Sequence, residues 1–476
     1  MTHVHFFFSV HEKLFSGVAE QLVSRYGVTR LSGFVWGNDQ RDYLGGRSVH
    51  CDPLIVFSTD ILERSLGHEP DIAYLISREA KYGISLQRMI ASERHLIKLP
   101  YRRLLSVIEL TFRRLESFFE EDRPDFVFSE SVSCLTSYIY LALARAYDVP
   151  FWQAMSARMD NRLAFTDRGL QQWQLTTARF EDIQARGLTA DEREQAEGFI
   201  AEFRRRPSRP SHMKLRQELK AGSRKDAEIL WSLATRRLRD EHNPTLSSPM
   251  SAVASRAGRI VRAQVAEHAG IFERPVSGES YVLYPIHFQP EATTLVQAPY
   301  YLDQAALIED IVKSLPIGYR LYVKEHFTNR GRRPIGFYRR IKKAPGVRLL
   351  GPDEDSWKLL AGASAIATIT GSMGWEGLLM AKPVVTFGEV FYAECPLVHR
   401  AREHAKDEWY DVFRAALTGH QHDEEMLTMF VSAVLETTYP GLVKNSETFP
   451  RVLEATNVEN VSRAFAAVSG LSSESR

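Results

Sequence analysis

Cysteine is scarce in this chain: Cys51, Cys134 and Cys395 are the three, widely spaced and odd in number. They form no metal-ligand spacing and no disulfide framework, which favours a reducing compartment. Long hydrophobic runs are missing as well. No apolar stretch approaches the roughly 20 residues that a membrane helix needs. The start, Met1 to Phe8, is apolar but too short for a span, and it lacks the basic head of a signal peptide. Charge of one sign is also lacking. Sixty Lys and Arg stand against 59 Asp and Glu, a net charge of +1, so the overall field gives no argument for nucleic acid as a partner. These absences point to a cytoplasmic protein that does not span a membrane. What is present is ordinary for a large globular enzyme. The chain has 476 residues, 44% of them hydrophobic and 25% charged, enough for two or three domains with substantial cores.

The most informative stretch is Ala365 to Gly388, AIATITGSMGWEGLLMAKPVVTFG. An apolar β-rich run ends in Thr370-Gly371-Ser372, a short apolar helix follows, and Lys382-Pro383 leads into a strand from Val384 to Phe387. A helix N-terminus carries unpaired N–H groups and roughly half a positive charge, so it suits a phosphate or carboxylate. Gly371 and Gly374 allow close backbone approach, and Ser372 is placed to cap the helix or to donate to an anion.

A second unit of this kind lies upstream. Arg320 to Lys324 reads as a strand ending in Glu325-His326, followed by the basic loop Thr328 to Pro334, which contains Arg330. Ligands of open α/β sheets bind beyond the carboxyl ends of the strands. Lys324, His326 and Arg330 are therefore expected on the same rim as Ser372. Val347 to Leu350 is a further strand, and Asp355 or Ser356 is the expected cap of the helix starting near Trp357. Three successive strand ends thus offer cations, an imidazole, hydroxyls and free amides, which suits a phosphorylated ligand.

The N-terminal region reads as α/β. His3 to Ser9 is a strand and Glu12 to Tyr26 the helix behind it, with Leu31 to Trp36 and Leu54 to Ser58 as further strands. Helical periodicity dominates from Ile84 to Glu121. Asp125 to Phe128, the helix Cys134 to Ala146 and the strand Pro150 to Gln153 form a βαβ unit. Glu130 falls at a strand's carboxyl end, and Asp160 lies in the polar loop Ser156 to Arg162. Either is a candidate general base or acceptor anchor; the bland reading of Glu130 is a capping carboxylate paired with Arg158 or Arg162. His11 reads as a helix-start residue.

Between about Thr177 and Ser277 the chain is helical and basic. Arg204 to Pro210 breaks it as a basic linker, and Lys214 to Arg239 interleaves Lys and Arg with Leu and Trp. That composition suits a solvated helical insertion, or a surface lying on anionic lipid at the inner face of the cell membrane. Glu279 to Gln289 opens the next α/β region with His287 at the end of its first strand. Tyr392, after the last clear strand, is either a core aromatic or a ring that stacks on a base or sugar. Helical patterns close the chain from His420 to Thr437 and from Thr448 to Ser469.

Lys324-Glu325-His326, then Tyr338 to Ile341, Asp355-Ser356 and TGSMGWEGLLMAKPVVTFG resemble the capsule polysaccharide biosynthesis family. That family includes bacterial transferases of 3-deoxy-manno-octulosonic acid and is similar at motif level to bacterial sialyltransferases. The close match spans roughly Tyr281 to Pro396; the N-terminal third resembles the partner domain only loosely. The resemblance implies an α/β, GT-B-like fold of two Rossmann-like domains facing across a cleft, with a helical insertion between them. The expected boundaries are 1–176 for an acceptor domain, 177–277 for the insertion, 278–454 for a donor domain, and 455–476 for a terminal helix and tail. It also implies that His326 contacts the donor phosphate, that Thr370 and Ser372 contact it from the opposite side, and that Glu376 meets ribose hydroxyls. Phe327 departs from the pattern, since the family usually has Pro there.

The expected activity is metal-independent transfer of a sugar from a nucleotide donor to a surface glycan or glycolipid acceptor, with no further cofactor. By resemblance the donor is a CMP-activated 2-keto-3-deoxy acid. The alternatives are a nucleotide-sugar 2-epimerase, a polyol-phosphate transferase, or a non-catalytic glycan- or nucleotide-binding subunit of an export complex.

Overall fold

The computed structural model describes residues 2–167, 170, 172–205, 231, 235, 243–244, 246 and 248–472. Within it the chain divides into two compact units, Met1–Leu170 with Gly222–Ala252 and Thr438–Arg476, and Gln171–Ala221 with Val253–Thr437. The basic stretch Lys214 to Arg239, with its expected lipid contact, lies almost wholly outside the described residues.

Unit 1 is built on a seven-stranded sheet. Its strands are β1 (Thr2–Phe7), β2 (Val28–Val35), β3 (Leu54–Val56), β4 (Phe126–Ser129), β5 (Phe151–Ser156), β6 (Arg162–Thr166) and β13 (Thr438–Pro440). The order is β13-β6-β5-β4-β1-β2-β3, parallel from β3 through β5, with β6 and β13 added antiparallel. β1 is buried along almost its whole length because helices cover both faces of a parallel sheet, which is why it reads as a continuous apolar run. Its aromatic core joins Phe6 to Phe128 with ring centroids 5.4 Å apart.

The sequence reading missed β6 and β13. The loop expected from Ser156 to Arg162 is instead the turn of a β5–β6 hairpin, with Arg158 and Asn161 at positive φ. The final domain boundary also differs from the expected 454. β13 pairs with β6 from Thr438 onward, and the helix Ala455–Val468 packs on the helix Glu12–Arg25, where Val458 approaches Gly17. Phe465 of this last helix sits edge-on to Phe128, 4.6 Å between centroids. Gly441, at φ 135°, makes the turn out of β13, a conformation that side-chain-bearing residues rarely adopt.

Unit 2 holds six parallel strands: β7 (Tyr281–Pro285), β8 (Arg320–Lys324), β9 (Val347–Leu350), β10 (Ala365–Thr368), β11 (Val384–Thr386) and β12 (Val398–Arg400). Their order is β12-β11-β10-β7-β8-β9, so the chain fills one side of β7 and then crosses to the other. That is the doubly wound Rossmann pattern, with the order reversing between β7 and β10. Val282, Tyr284, Val323, Ala367, Ile369 and Phe387 are fully or almost fully buried in its core. Two helices expected in a separate insertion, Gln174–Arg186 and Ala190–Arg205, belong to this unit. Ion pairs dock them on the helix Glu424–Glu436: Arg179 with Glu436 at 2.6 Å, Arg193 with Glu425 at 2.5 Å and Arg204 with Glu424 at 2.7 Å.

Candidate functional site

In unit 2 the residues after β7 and β10 meet at the point where strand order reverses. His287 is buried, and its Nε2 accepts from the backbone N–H of Ile369 at 3.2 Å and lies 3.0 Å from the Thr368 hydroxyl. The Thr368 oxygen in turn accepts from the N–H of Gly371 at 3.0 Å, so its proton points to His287. A ring that accepts an N–H at Nε2 carries its own proton on Nδ1. This relay fixes the turn leading into the helix Ser372–Leu379. Gln304 holds His287 from behind, accepting from its backbone N–H at 2.8 Å and donating to its carbonyl at 3.1 Å.

The helix Ser372–Leu379 begins without a side-chain cap, because Gly371 occupies the cap position. The Gly374 N–H turns back to the Gly371 carbonyl at 3.2 Å, and the N–H groups of Ser372 and Met373, at the very start, have no intrahelical acceptor. Among the described residues the Ser372 hydroxyl has no hydrogen-bond partner in the structure. Thr370 is different: fully buried, it donates to the carbonyl of Thr293 at 3.1 Å. Of the expected hydroxyl pair, Thr370 thus holds the loop while Ser372 stands at the helix start. Glu376 lies one turn further in and is 4% exposed. Tyr392 is fully buried rather than a stacking surface. Its hydroxyl donates to the Gly371 carbonyl at 2.6 Å, and its ring lies so near Gly374 that a Cβ there would approach Oη within 2.3 Å.

His326 follows β8, on the other side of β7. It is partly exposed, in an extended conformation at φ −74° and ψ 136°, and caps the short turn Phe327–Asn329. Its Nδ1 accepts from the N–H of Thr328 at 3.2 Å and lies 2.7 Å from that residue's hydroxyl. The Phe327 ring stacks on the imidazole at 4.5 Å between centroids and 28° between planes.

Underneath is Glu325, which the sequence reading passed over. It is 1% exposed and receives the N–H of His326 at 2.7 Å, the Asn329 amide at 3.0 Å and the Tyr338 hydroxyl at 2.7 Å. Arg333 Nε faces it at 3.5 Å, an ion-pair contact longer than a good hydrogen bond. Burial raises the Glu325 pKa, and Arg333 with the three donors offsets only part of that rise.

The loop cations are largely used within the protein. Lys324 is 6% exposed, with Nζ 3.3 Å from the carbonyls of both Glu325 and Pro352. Arg330 pairs with Glu267 and, at 3.3 Å, with Asp353; its pKa is raised, chiefly by the hydrogen bond to Glu267. Arg332 is exposed and bonds the Thr328 carbonyl at 3.1 Å. Asp355, not Ser356, caps the helix Ser356–Gly362, accepting from Trp357 and Lys358. A cavity of about 260 Å³ is lined by Phe272, Glu325, Arg330, Tyr338, Gly351 and Asp353 among others, but not by His326, Thr370, Gly371 or Ser372.

Unit 1 has its own reversal point, between β1 and β4, and there His11 and Glu130 come together. His11 Nε2 lies 2.7 Å from Glu130 Oε2, with the histidine side chain 2% exposed and the carboxylate 32%. Burial raises the Glu130 pKa, but His11, Lys444 and Arg94 together outweigh it and hold the group at about 2. Burial likewise lowers the His11 pKa, and the Glu130 carboxylate turns the net shift upward. Neither Arg158 nor Arg162 is the partner that the sequence suggested; Arg162 bonds Thr438 instead. Asp160 sits exposed in the β5–β6 turn.

The helix after β4, Leu135–Ala146, differs from its counterpart in unit 2. Its N-terminus is filled by the buried carboxylate of Glu93, which accepts from Leu135 N at 2.9 Å as well as from the backbone of Arg94, His95 and Leu96. An internal carboxylate therefore occupies the anion position in unit 1, whereas no such side chain caps the helix Ser372–Leu379. Among the described residues no group of three or more His, Cys, Asp or Glu is placed to hold a metal ion. Nor, among them, is any helix long and apolar enough to cross a membrane.

No curated protein matches the chain in sequence. Among solved structures it is similar to a beta Kdo 2,7 transferase, KpsC of Thermosulfurimonas dismutans, at 12% identity over 75% of this chain and 89% of that one, TM-score 0.40. The beta Kdo 2,4 transferase of the same KpsC is 17% identical over 74% and 92%, TM-score 0.37. An S. aureus MnaA structure with UDP is 10% identical over 99% and 98%, TM-score 0.29. A family profile described as "Capsule polysaccharide biosynthesis protein" matches residues 281–428, the stretch that carries β7 to β12, His287, His326 and Ser372. Over residues 281–428 the chain is similar to the capsule polysaccharide biosynthesis protein family.

Proposed function

We propose that the protein is a GT-B-type glycosyltransferase that moves a sugar from a nucleotide donor to a surface polysaccharide or glycolipid acceptor, with the donor held by unit 2. The observation that carries this reading is the contrast between two helix N-termini at equivalent reversal points. In unit 1 Glu93 fills the helix start. In unit 2 the start is presented by a fixed loop, beside the Ser372 hydroxyl and at the same sheet edge as His326. A diphosphate or monophosphate leaving group matches that chemistry, because N–H groups, a hydroxyl and an imidazole meet negative charge as it develops. The acceptor hydroxyl attacks the anomeric carbon and gives its proton to a carboxylate base, the bond from that carbon to the phosphate oxygen breaks, and the nucleotide leaves with the electron pair.

Glu130 is the acceptor anchor in this scheme. A carboxylate held near 2 stays ionised and accepts a hydrogen bond from a hydroxyl, which suits orientation better than full proton abstraction. Asp160, exposed on the same edge of the sheet, is the second candidate for the base. Support for a CMP-activated 2-keto-3-deoxy acid rests on the family match and on the exposed Arg332, an available charge for a sugar carboxylate.

A thermal-shift panel of CMP, UDP, GDP and ADP, on the wild type and on His326→Ala and Ser372→Ala, tests the reading. A ligand at about 100 times its Kd stabilises by about 2.7 kcal/mol. Stabilisation by CMP alone, lost in both variants, supports site and donor. Preference for UDP or GDP overturns the CMP donor. No stabilisation by any nucleotide overturns the transferase reading.

A further inference from the structure

The loop after β8 contains two neighbours of His326 that act on its ring rather than on its backbone. Thr328 donates its N–H to Nδ1 at 3.2 Å, and its hydroxyl lies 2.7 Å from the same nitrogen. An N–H donor cannot point at a protonated nitrogen, so the Nδ1 lone pair is committed and the ring proton resides on Nε2. Phe327 covers one face of the imidazole at 4.5 Å and 28°, which fixes its plane. Glu325 sets the base of the arrangement by accepting the His326 N–H at 2.7 Å, so the residue is pinned at backbone, ring nitrogen and ring face.

Resting on the donor-site reading above, we infer that Phe327 and Thr328 are positioning residues that lock His326 as the Nε2–H tautomer, a preset donor to the phosphate of the nucleotide sugar. The lock is a property of the free protein. A histidine left to choose between tautomers would spend part of its time with a lone pair facing the phosphate, where it repels rather than donates. Preorganised donors are worth more than donors that must reorient during the reaction.

Phe327 has a second consequence for specificity of design at this position. It stands at the first residue of its turn, where proline is tolerated, and His326 already has the extended backbone that precedes proline. Phe327→Pro should therefore keep the loop while removing the stacked ring. Thr328→Val removes the hydroxyl while keeping the backbone N–H.

The test is the ¹⁵N spectrum of histidine rings in the full chain without ligand, with the His326 signal assigned by its loss in His326→Gln. The expected result is the pattern of an Nε2–H tautomer in the wild type. Phe327→Pro and Thr328→Val, which both keep the Thr328 N–H on Nδ1, should retain that pattern with broader signals and about tenfold weaker nucleotide binding. A wild-type ring in the Nδ1–H form, or averaging between the two forms, overturns the inference. A locked Nε2–H ring that no nucleotide perturbs overturns the donor-site reading instead, and leaves the tautomer assignment standing.

Discussion

The Nε2 of His11 and the Oε2 of Glu130 lie 2.7 Å apart, although 119 positions separate the two residues. The bond spans the ends of β1 and β4, neighbours at which the strand order of unit 1 reverses. Lys444, from the segment that returns to unit 1 after β13, adds positive charge to the same carboxylate. Position, ionisation and the fold's closure are thereby tied to one pair.

The pair has a definite pH signature. The Glu130 pKa is depressed to about 2 from 4.5, so its contribution to stability is present above about 4.5 and is lost as pH falls toward 2. The His11 pKa is raised from 6.5, so its contribution is full below 6.5 and is lost as pH rises through the raised value. The stability difference between wild type and His11→Asn should therefore be greatest between about pH 4.5 and 6.5 and shrink on both sides. Urea melts from pH 3 to 9 measure it; a difference that keeps growing above pH 7 would contradict the pairing.

Gly374→Ala should destabilise the protein by roughly 1–3 kcal/mol, since the new methyl must displace a fully buried ring. Displacing Tyr392 breaks its bond to the Gly371 carbonyl, so nucleotide affinity should fall together with stability. Tyr392→Phe, which removes only the hydroxyl, should cost about 1 kcal/mol. Thermal melts and nucleotide titrations on the two variants separate overpacking from the lost bond.

Thr368→Val removes both halves of the relay between His287 and Gly371. Two buried hydrogen-bonding groups then lose a partner, at a cost of roughly 1–3 kcal/mol. Nucleotide binding should weaken without a change in base preference, because the hydroxyl shapes the phosphate loop and does not read the base. A variant that altered the ranking of CMP over UDP would argue against this role.

Glu325→Ala should be among the most damaging single changes in unit 2, at about 3–5 kcal/mol, because Arg333 is left buried without its carboxylate. Glu325→Gln keeps an acceptor for the His326 N–H and Asn329 and should cost less. Chemical denaturation of the two variants gives the comparison; equal losses would mean that the acceptor kept by Gln contributes nothing and that the charge of Glu325 carries the whole effect.

Much of the architecture was legible because parallel βα units leave local marks: buried strands read as apolar runs, and turns carry Gly, Asp and Ser at fixed offsets. Lys324 to His326, Thr370 to Ser372 and the cap at Asp355 all lie where those marks put them. Partners distant in sequence leave no such mark. The Thr368 hydroxyl is 81 residues from His287 and sits inside an apolar run, where its polar duty is hidden. Lys324 and Arg330 looked like rim cations, yet their charges meet carbonyls 28 residues away and a carboxylate 63 residues away. β6 and β13 escaped notice because they are five and three residues long, too short for alternation to show, and β13 lies at the sheet edge.

The return of Thr438–Arg476 to unit 1 has a consequence for biosynthesis. A ribosome finishes everything up to Leu170 and must then make all of unit 2 before the strand and helix that complete unit 1 emerge. At about 5–20 residues per second that is a delay of roughly 10–50 s. Throughout it the open edge of β6 and the Phe128 ring lack β13 and Phe465. An unpaired strand edge beside uncovered aromatic rings is a template for aggregation, so the nascent chain calls for chaperone protection that a chain of two consecutive domains would not need. For the same reason no single cut divides the chain into two self-sufficient halves.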